Sequence, residues 1–215
     1  MRTVKMSSYN VIKEKDLNVF DSISRIVIAG RSNSGKSFFT AKLINKYYDC
    51  FSVIILIGGE LPGLNREKLI LKKYDYNILN DDSLSGNKLI VYDDTILEKQ
   101  ALENAARVFL RGRHKSVSVI FITQNLFFQD KFYRSIFLNA TYFVLFKIRD
   151  LNQLRMFAGK IISKEKIASF IEAYKKFVIG TKFNHLLVDL NCDDEDPLMF
   201  RTYILSQNLQ MCISL

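Results

Sequence analysis

Tryptophan is absent from the chain, and proline nearly so, with two residues in 215. Nine glycines complete a short inventory of chain breakers. So sparse a set excludes a disordered Pro- or Gly-rich linker and a low-complexity chain. Three cysteines, Cys50, Cys192 and Cys212, are odd in number and widely spaced. They form neither a C-x-x-C pair nor a zinc spacing, which argues against a disulfide framework or a zinc ribbon. A reducing intracellular compartment is the simplest expectation. Two histidines, His114 and His185, are too few and too far apart in sequence for an obvious metal cluster. The longest apolar runs, such as Val53–Ile57, fall far short of the roughly 20 residues that span a bilayer, so no membrane span is expected. Met1-Arg2-Thr3-Val4-Lys5 does not continue into an apolar signal region.

What is there describes a globular chain with a full core. Apolar residues make up 48% and charged residues 25%, and 17 Phe and 10 Tyr make that core aromatic. The length fits one domain over residues 1–215, with a core at about 20–150 and a C-terminal extension at about 151–215. The formal net charge is +9. That charge suits a polyanionic partner, and it equally suits a genome whose codon bias favours Lys, Asn, Ile and Phe.

The most informative stretch is Gly30-Arg31-Ser32-Asn33-Ser34-Gly35-Lys36-Ser37, which fits the P-loop pattern G-x-x-x-x-G-K-[ST]. It follows the apolar run Arg25–Ala29 and precedes a helical pattern carrying Phe38, Phe39, Ala41, Leu43 and Ile44. A strand, a tight loop and a helix N-terminus in that order turn backbone N–H groups inward around a phosphate. Residues Gly30 to Phe38 are therefore expected to bind nucleotide. Lys36 would reach the β- and γ-phosphates, and the Ser37 hydroxyl would ligate Mg²⁺. Gly30 and Gly35 permit backbone angles and close approach that a Cβ would block.

Further along, short β-rich runs alternate with helical patterns. Strands are expected at Ser52–Ile57, Lys88–Tyr92, Val117–Ile122 and Tyr142–Phe146. Helices are expected at Gly35–Tyr47, Ile96–Leu110 and Lys131–Leu138, with a short one at Arg66–Lys73 and a short extended piece at Tyr76–Leu79. Beyond Arg149, Asp150–Ala158 and Lys164–Phe177 read as helices. His185–Asp189 and Met199–Ile204 read as strands across the acidic turn Asp193–Pro197. Buried strands separated by helices predict an α/β P-loop NTPase of the ASCE type. Its central sheet is mostly parallel and flanked by helices, with a helix and strand extension at the C-terminus.

Two further elements bear on hydrolysis. Lys88–Tyr92 ends in Asp93-Asp94, where a P-loop ATPase needs an acid. Asp93 would hold Mg²⁺, and Asp94, pointing elsewhere, would polarise the attacking water. The plainer alternative is an exposed acidic turn before a helix N-terminus. Val117–Ile122 ends in Thr123-Gln124-Asn125, and an amide there can donate to a phosphate oxygen while accepting from water. Gln124 is the first choice for that sensor and Asn125 the second; a simple polar strand end is the alternative. Arg111-Gly112-Arg113-His114-Lys115 precedes that strand. Arg113 or Arg111 fits an arginine finger, a contact to DNA phosphates, or a solvated helix C-terminus.

A small GTPase would need an Asn-Lys-x-Asp motif, which Asn45-Lys46-Tyr47-Tyr48-Asp49 misses by one residue. A nucleotide or nucleoside kinase and a nucleotide-dependent binding module stand as rival readings. With these motifs in order, the chain resembles the viral DNA-packaging ATPases of the FtsK–HerA superfamily. The likeness is greatest to the short poxvirus-type packaging ATPases of large DNA viruses, virophages and Polinton-like or adintovirus-like elements. It covers about residues 20–190, including Ser118–Asn125, Ala140–Lys147 with Arg149-Asp150, and Leu186–Leu190. The resemblance implies an ATP- and Mg²⁺-dependent motor that translocates double-stranded DNA into a preformed capsid. It implies a homo-oligomeric ring, pentamer or hexamer, docked on a capsid portal or vertex protein. It also implies a glutamine sensor matching Gln124 and an arginine finger supplied across the subunit interface. The site of action would be the host cytoplasm or nucleus where virions assemble, or the virion itself. Asp94 stands where many members carry Glu, and the shorter acid reaches less far.

Overall fold

The computed structural model describes residues 3–6, 9–14, 23–73, 77–81, 83–193, 196, 198–205 and 210–215. In chain order the strands are β1 (Thr3–Met6), β2 (Tyr9–Glu14), β3 (Arg25–Ala29), β4 (Val53–Ile57), β5 (Leu69–Lys72), β6 (Lys88–Asp93), β7 (Val117–Thr123), β8 (Tyr142–Leu145), β9 (Leu186–Asp189), β10 (Phe200–Thr202) and β11 (Gln210–Ser214). The α-helices are α1 (Lys36–Lys46), α2 (Lys99–Arg111), α3 (Lys131–Asn139), α4 (Leu151–Ile161) and α5 (Ile167–Tyr174).

These strands form one sheet in the order β1-β2-β11-β10-β9-β8-β3-β7-β6-β4-β5. The six strands from β8 to β5 run parallel. Beyond β8 every pairing through β9, β10, β11, β2 and β1 is antiparallel. The expected parallel core is thus present, and the segments after Arg149 extend its sheet.

Strands β3, β4, β6, β7 and β8 are buried on both faces because helices cover both. Ile26 and Ile28 of β3 face the α1 side with Phe39, Leu43 and Ile44. Val27 and Ala29 face the opposite layer, built from α2 to α5. An aromatic chain runs through that second layer: Phe137 to Phe143 at 4.9 Å, Phe143 to Phe157 at 5.0 Å, and Phe170 to Phe200 at 5.3 Å. The aromatic excess in the composition is spent there, joining the C-terminal strands to the parallel core. A buried Arg201–Asp189 ion pair, 2.6 Å between Nη2 and Oδ2, ties β10 to β9.

Some expectations are corrected. Arg66–Lys73 contains a strand rather than a helix, because Leu69–Lys72 pairs in parallel with the exposed edge of β4, from Ile54↔Leu69 to Ile57↔Lys72. So short an apolar run cannot repay the cost of a helix nucleus, whereas each residue on a preformed edge gains ladder hydrogen bonds at once. Tyr76 lies outside the described residues, and Ile78–Asn80 is a single 3₁₀ turn rather than extended. Asp194, Glu195 and Pro197 of the acidic turn also lie outside them. The helix expected at Lys164–Phe177 divides into a 3₁₀ turn, α5 and a π-helical turn at Lys175–Ile179. Strands β1, β2 and β11 were not anticipated. No helix among the described residues is long and apolar enough to cross a membrane, and Cys50, Cys192 and Cys212 are free thiols.

Candidate nucleotide site

The C-terminal tips of β3, β7, β6 and β4 meet at one end of the parallel sheet. Their register aligns Ala29 with Thr123, Ile122 with Asp93, and Ile57 with Tyr92. The loop after β3 is anchored at its start: Gly30 N donates to Thr123 O at 3.2 Å and Arg31 N to Lys147 O at 2.8 Å. Gly30 is required there for packing. A Cβ would lie 2.5 Å from that of Phe146.

The loop ends at Gly35, the N-cap of α1, whose φ of 99° and ψ of 9° are left-handed. No side chain caps α1. Its first N–H groups, which have no intrahelical carbonyl to meet, are therefore turned to the cavity in front. Ser34 Oγ is buried there without a partner. An unsatisfied hydroxyl beside an uncapped helix start suits a phosphate oxygen.

Lys36, at 8% exposure, folds back on the loop, its Nζ donating to Gly30 O at 2.7 Å and Arg31 O at 3.0 Å. Burial lowers its pKa, and Asp93 and Asp94 act against that. The Ser37 hydroxyl donates to the Asp93 carboxylate. Burial and the neighbouring Asp94 push the Asp93 carboxyl up to about 6, while Lys36 and Ser37 oppose the rise. Its folded pKa is above the ordinary carboxylate value, so ionising Asp93 costs stability as pH rises through 6. A divalent cation beside it would offset that cost. The two oxygen donors, Ser37 hydroxyl and Asp93 carboxylate, are of the kind a hard cation takes.

Asp94 turns away from Asp93. Its φ of 53° kinks the chain at the strand tip, and its side chain is exposed while Asp93 is buried. Gln124 Nε2 donates to Asp94 Oδ1 at 3.3 Å. The amide and the second acid thus form a pair on the open side of the site. The cavity they share with Ser32–Phe38 has a volume of about 370 Å³.

Three contributors escaped the sequence reading. Gly59 lies against Asp93, and an added Cβ would overlap the carboxylate. Glu60 follows it on the cavity wall. The only signal in the sequence is Gly58-Gly59 behind the apolar run Ser52–Ile57, a pattern that any turn carries. Tyr133 of α3 is buried, its hydroxyl donating towards Asn125 O at 2.9 Å and Leu126 O at 3.1 Å. It fixes the turn that carries Gln124.

The structure brings together Gly30 to Phe38, Asp93, Asp94 and Gln124. Asn125 is exposed in the same turn. Arg111 and Arg113 are not with them. They precede β7, at the opposite end of the sheet, where both are exposed. Burial, with repulsion from Arg113, lowers the pKa of Arg25 at the start of β3. Arg107, Arg111, His114 and Lys115 line a cavity of about 700 Å³ at that end.

A parallel sheet with the P-loop on β3, the acids on β6 and a polar tip on β7 between them is the fold of the P-loop NTPases of the ASCE type. Solved structures of the same fold include the genome packaging NTPase B204 of Sulfolobus turreted icosahedral virus 2, in complex with AMPPCP. That match has 16% identity, a TM-score of 0.57, and covers 90% of this chain and 98% of B204. The cytoplasmic domain of the type VII secretion ATPase EccC of Thermomonospora curvata matches at 12% identity and a TM-score of 0.53, over 88% of this chain and 25% of that one. The pCW3 conjugation coupling protein TcpA, with ATPγS, matches at 13% and 0.53, over 88% and 65%. No protein-family model matches the chain, and no curated protein does.

Proposed function

We propose that this chain hydrolyses ATP to drive double-stranded DNA into a viral capsid. The observation that carries the hydrolytic part is the convergence of Lys36, Ser37, Asp93, Asp94 and Gln124 on one cavity, with the Gln124 amide bonded to Asp94. The DNA part is supported by the near end-to-end fold match with a genome packaging NTPase and by the net charge of +9.

In this reading Lys36 leaves the carbonyls of Gly30 and Arg31 and turns to the β- and γ-phosphates, which the loop N–H groups also hold. Ser37 and Asp93 would hold Mg²⁺, which would supply positive charge to offset that of the phosphates. Asp94 accepts a proton from the attacking water, and Gln124 aligns that water through the amide face not used on Asp94. The cis cavity contains no arginine from the Arg111–Lys115 turn. In a head-to-tail ring, the turn of one subunit faces its neighbour, and Arg113 or Arg111 supplies the finger there.

The test is ATP turnover with and without double-stranded DNA, together with light scattering in ATP and DNA. Wild type hydrolyses ATP faster with DNA and assembles. Lys36→Ala neither binds nor hydrolyses ATP. Absence of turnover in a folded preparation that binds ATP would sink the motor reading.

A further inference from the structure

Beside the P-loop lies a second cavity of about 540 Å³. It shares Gly35 and Phe38 with the phosphate cavity and includes none of Asp93, Asp94 or Gln124. It therefore continues the site at the end away from the acids. We propose that this groove seats the nucleobase of the bound nucleoside triphosphate, stacked against Phe183 and Phe38 with Tyr203 completing the wall. The inference rests on the P-loop binding a nucleotide and adds where its base goes.

Backbone strain is concentrated at this groove. Five described non-glycine residues have positive φ: Asn33, Asp94, Ser116, Phe183 and Tyr203. Asn and Asp adopt that conformation comparatively readily, whereas bulky aromatic residues rarely do. Both aromatic examples, Phe183 at 59° and Tyr203 at 58°, line this one groove. Strain of this kind persists where surrounding structure enforces it, and it gathers at ligand clamps. Here it holds Phe183 beside Gly35, where a Cβ on the glycine would stand 3.4 Å from the Phe183 ring. The rings are nevertheless open to solvent: Phe183 is 61% exposed and Phe38 57%. The loop is reached through the π-helical turn Lys175–Ile179, a distortion often found at functional sites.

The chemistry of the walls selects a neutral, flat ligand. His185 lies beneath, its ring 4.4 Å from that of Phe39 and 5.3 Å from that of Phe146. Its two nitrogens are buried without partners, and burial pushes its pKa down to about 3, so this wall is uncharged. Lys42 and Lys182 line the same groove, with Lys42 Nζ 4.8 Å from the Phe38 ring centroid and Lys182 Nζ 5.4 Å from that of Phe183, and a stacked base takes the place of these long, mobile side chains. The Asn184 amide is already committed, donating to Phe177 O at 2.7 Å and accepting from Thr202 Oγ1 at 3.2 Å. Recognition is then by ring stacking, which every base satisfies, and ATP and GTP bind within about tenfold of each other.

Calorimetric titration of the full chain with ATP, GTP and inorganic tripolyphosphate tests this. The variants are Phe183→Gly, which suits the left-handed backbone and keeps the fold, and Phe183→Tyr, which keeps a ring. Phe183→Gly is expected to weaken ATP and GTP by about tenfold to a hundredfold and to leave tripolyphosphate within about twofold. Phe183→Tyr restores nucleotide affinity. Equal loss of ATP and tripolyphosphate would mean that Phe183 only props the P-loop, and unchanged ATP affinity would place the base elsewhere; either overturns the proposal while leaving the P-loop reading intact. A change only in assembled mass would make the groove a seat for a second copy, and also overturns it. Wild type that binds neither ATP nor tripolyphosphate removes both readings.

Discussion

At the scale of single residues, Asp93 and Asp94 are adjacent in sequence and divided in environment. Asp93 is buried against Gly59, Ser37 and Lys36, whereas Asp94 is exposed and bonded to Gln124. The division makes Asp94→Asn a clean experiment. On the proposed reading it removes the proton acceptor and leaves the P-loop unchanged, so kcat should fall by about 10²–10⁴ while ATP affinity, read by calorimetry, changes little. Gly59→Ala should act from the other side. Its methyl group displaces the Asp93 carboxylate, and a displacement of about 1 Å at a catalytic group costs roughly a hundredfold in turnover. His185 yields a pH prediction. Its folded pKa lies below its unfolded value, so the neutral ring stabilises the fold fully above about pH 6.5. That contribution is lost as pH falls toward 3, at about 1.4 kcal/mol per pH unit. Asp93, with its raised pKa, contributes a slope of the opposite sign near pH 6. The readout is therefore the difference in stability, from denaturation curves at pH 7, 6 and 5, between wild type and His185→Phe, which keeps a ring between Phe39 and Phe146. That difference should fall with this slope as pH is lowered from about 6.5.

At the scale of elements, the ion pair between β9 and β10 is the most exposed to test. Asp189→Ala leaves Arg201 buried at 3% exposure without its carboxylate and should cost about 3–5 kcal/mol in chemical denaturation. The elements also differ in how legible they were. The central strands β3, β4, β6, β7 and β8 declared themselves because strands buried on both faces must be apolar at nearly every position. The P-loop and Asp93-Asp94 were legible because each is a contiguous local motif. Strand β5 was not, since its state depends on the edge of β4, and β1, β2 and β11 are secured by pairing with one another and with β10. Gly59 and Phe183 were invisible for another reason. One is defined by the carboxylate it must clear, the other by a backbone angle, and neither leaves a pattern in neighbouring letters.

For the whole molecule, the cavity in front of the P-loop occupies one end of the parallel sheet and the turn Arg111–Lys115 the other. If that basic end and the remaining excess of Lys and Arg meet duplex DNA, the affinity must depend steeply on salt. A protomer that neutralises about six phosphates should lose roughly a thousandfold in affinity between about 50 and 200 mM salt, a slope that fluorescence anisotropy reads directly. Strand β7 joins the two ends. All seven of its residues, Val117 to Thr123, are buried, and it is paired on both edges, to β3 and to β6. Such a strand has no hinge and no slack. The basic turn at its start and Gln124 at its tip are the two ends of a strut, so whatever displaces one as a body displaces the other, and in the proposed ring each subunit would present to its neighbour a lever already set by its own nucleotide.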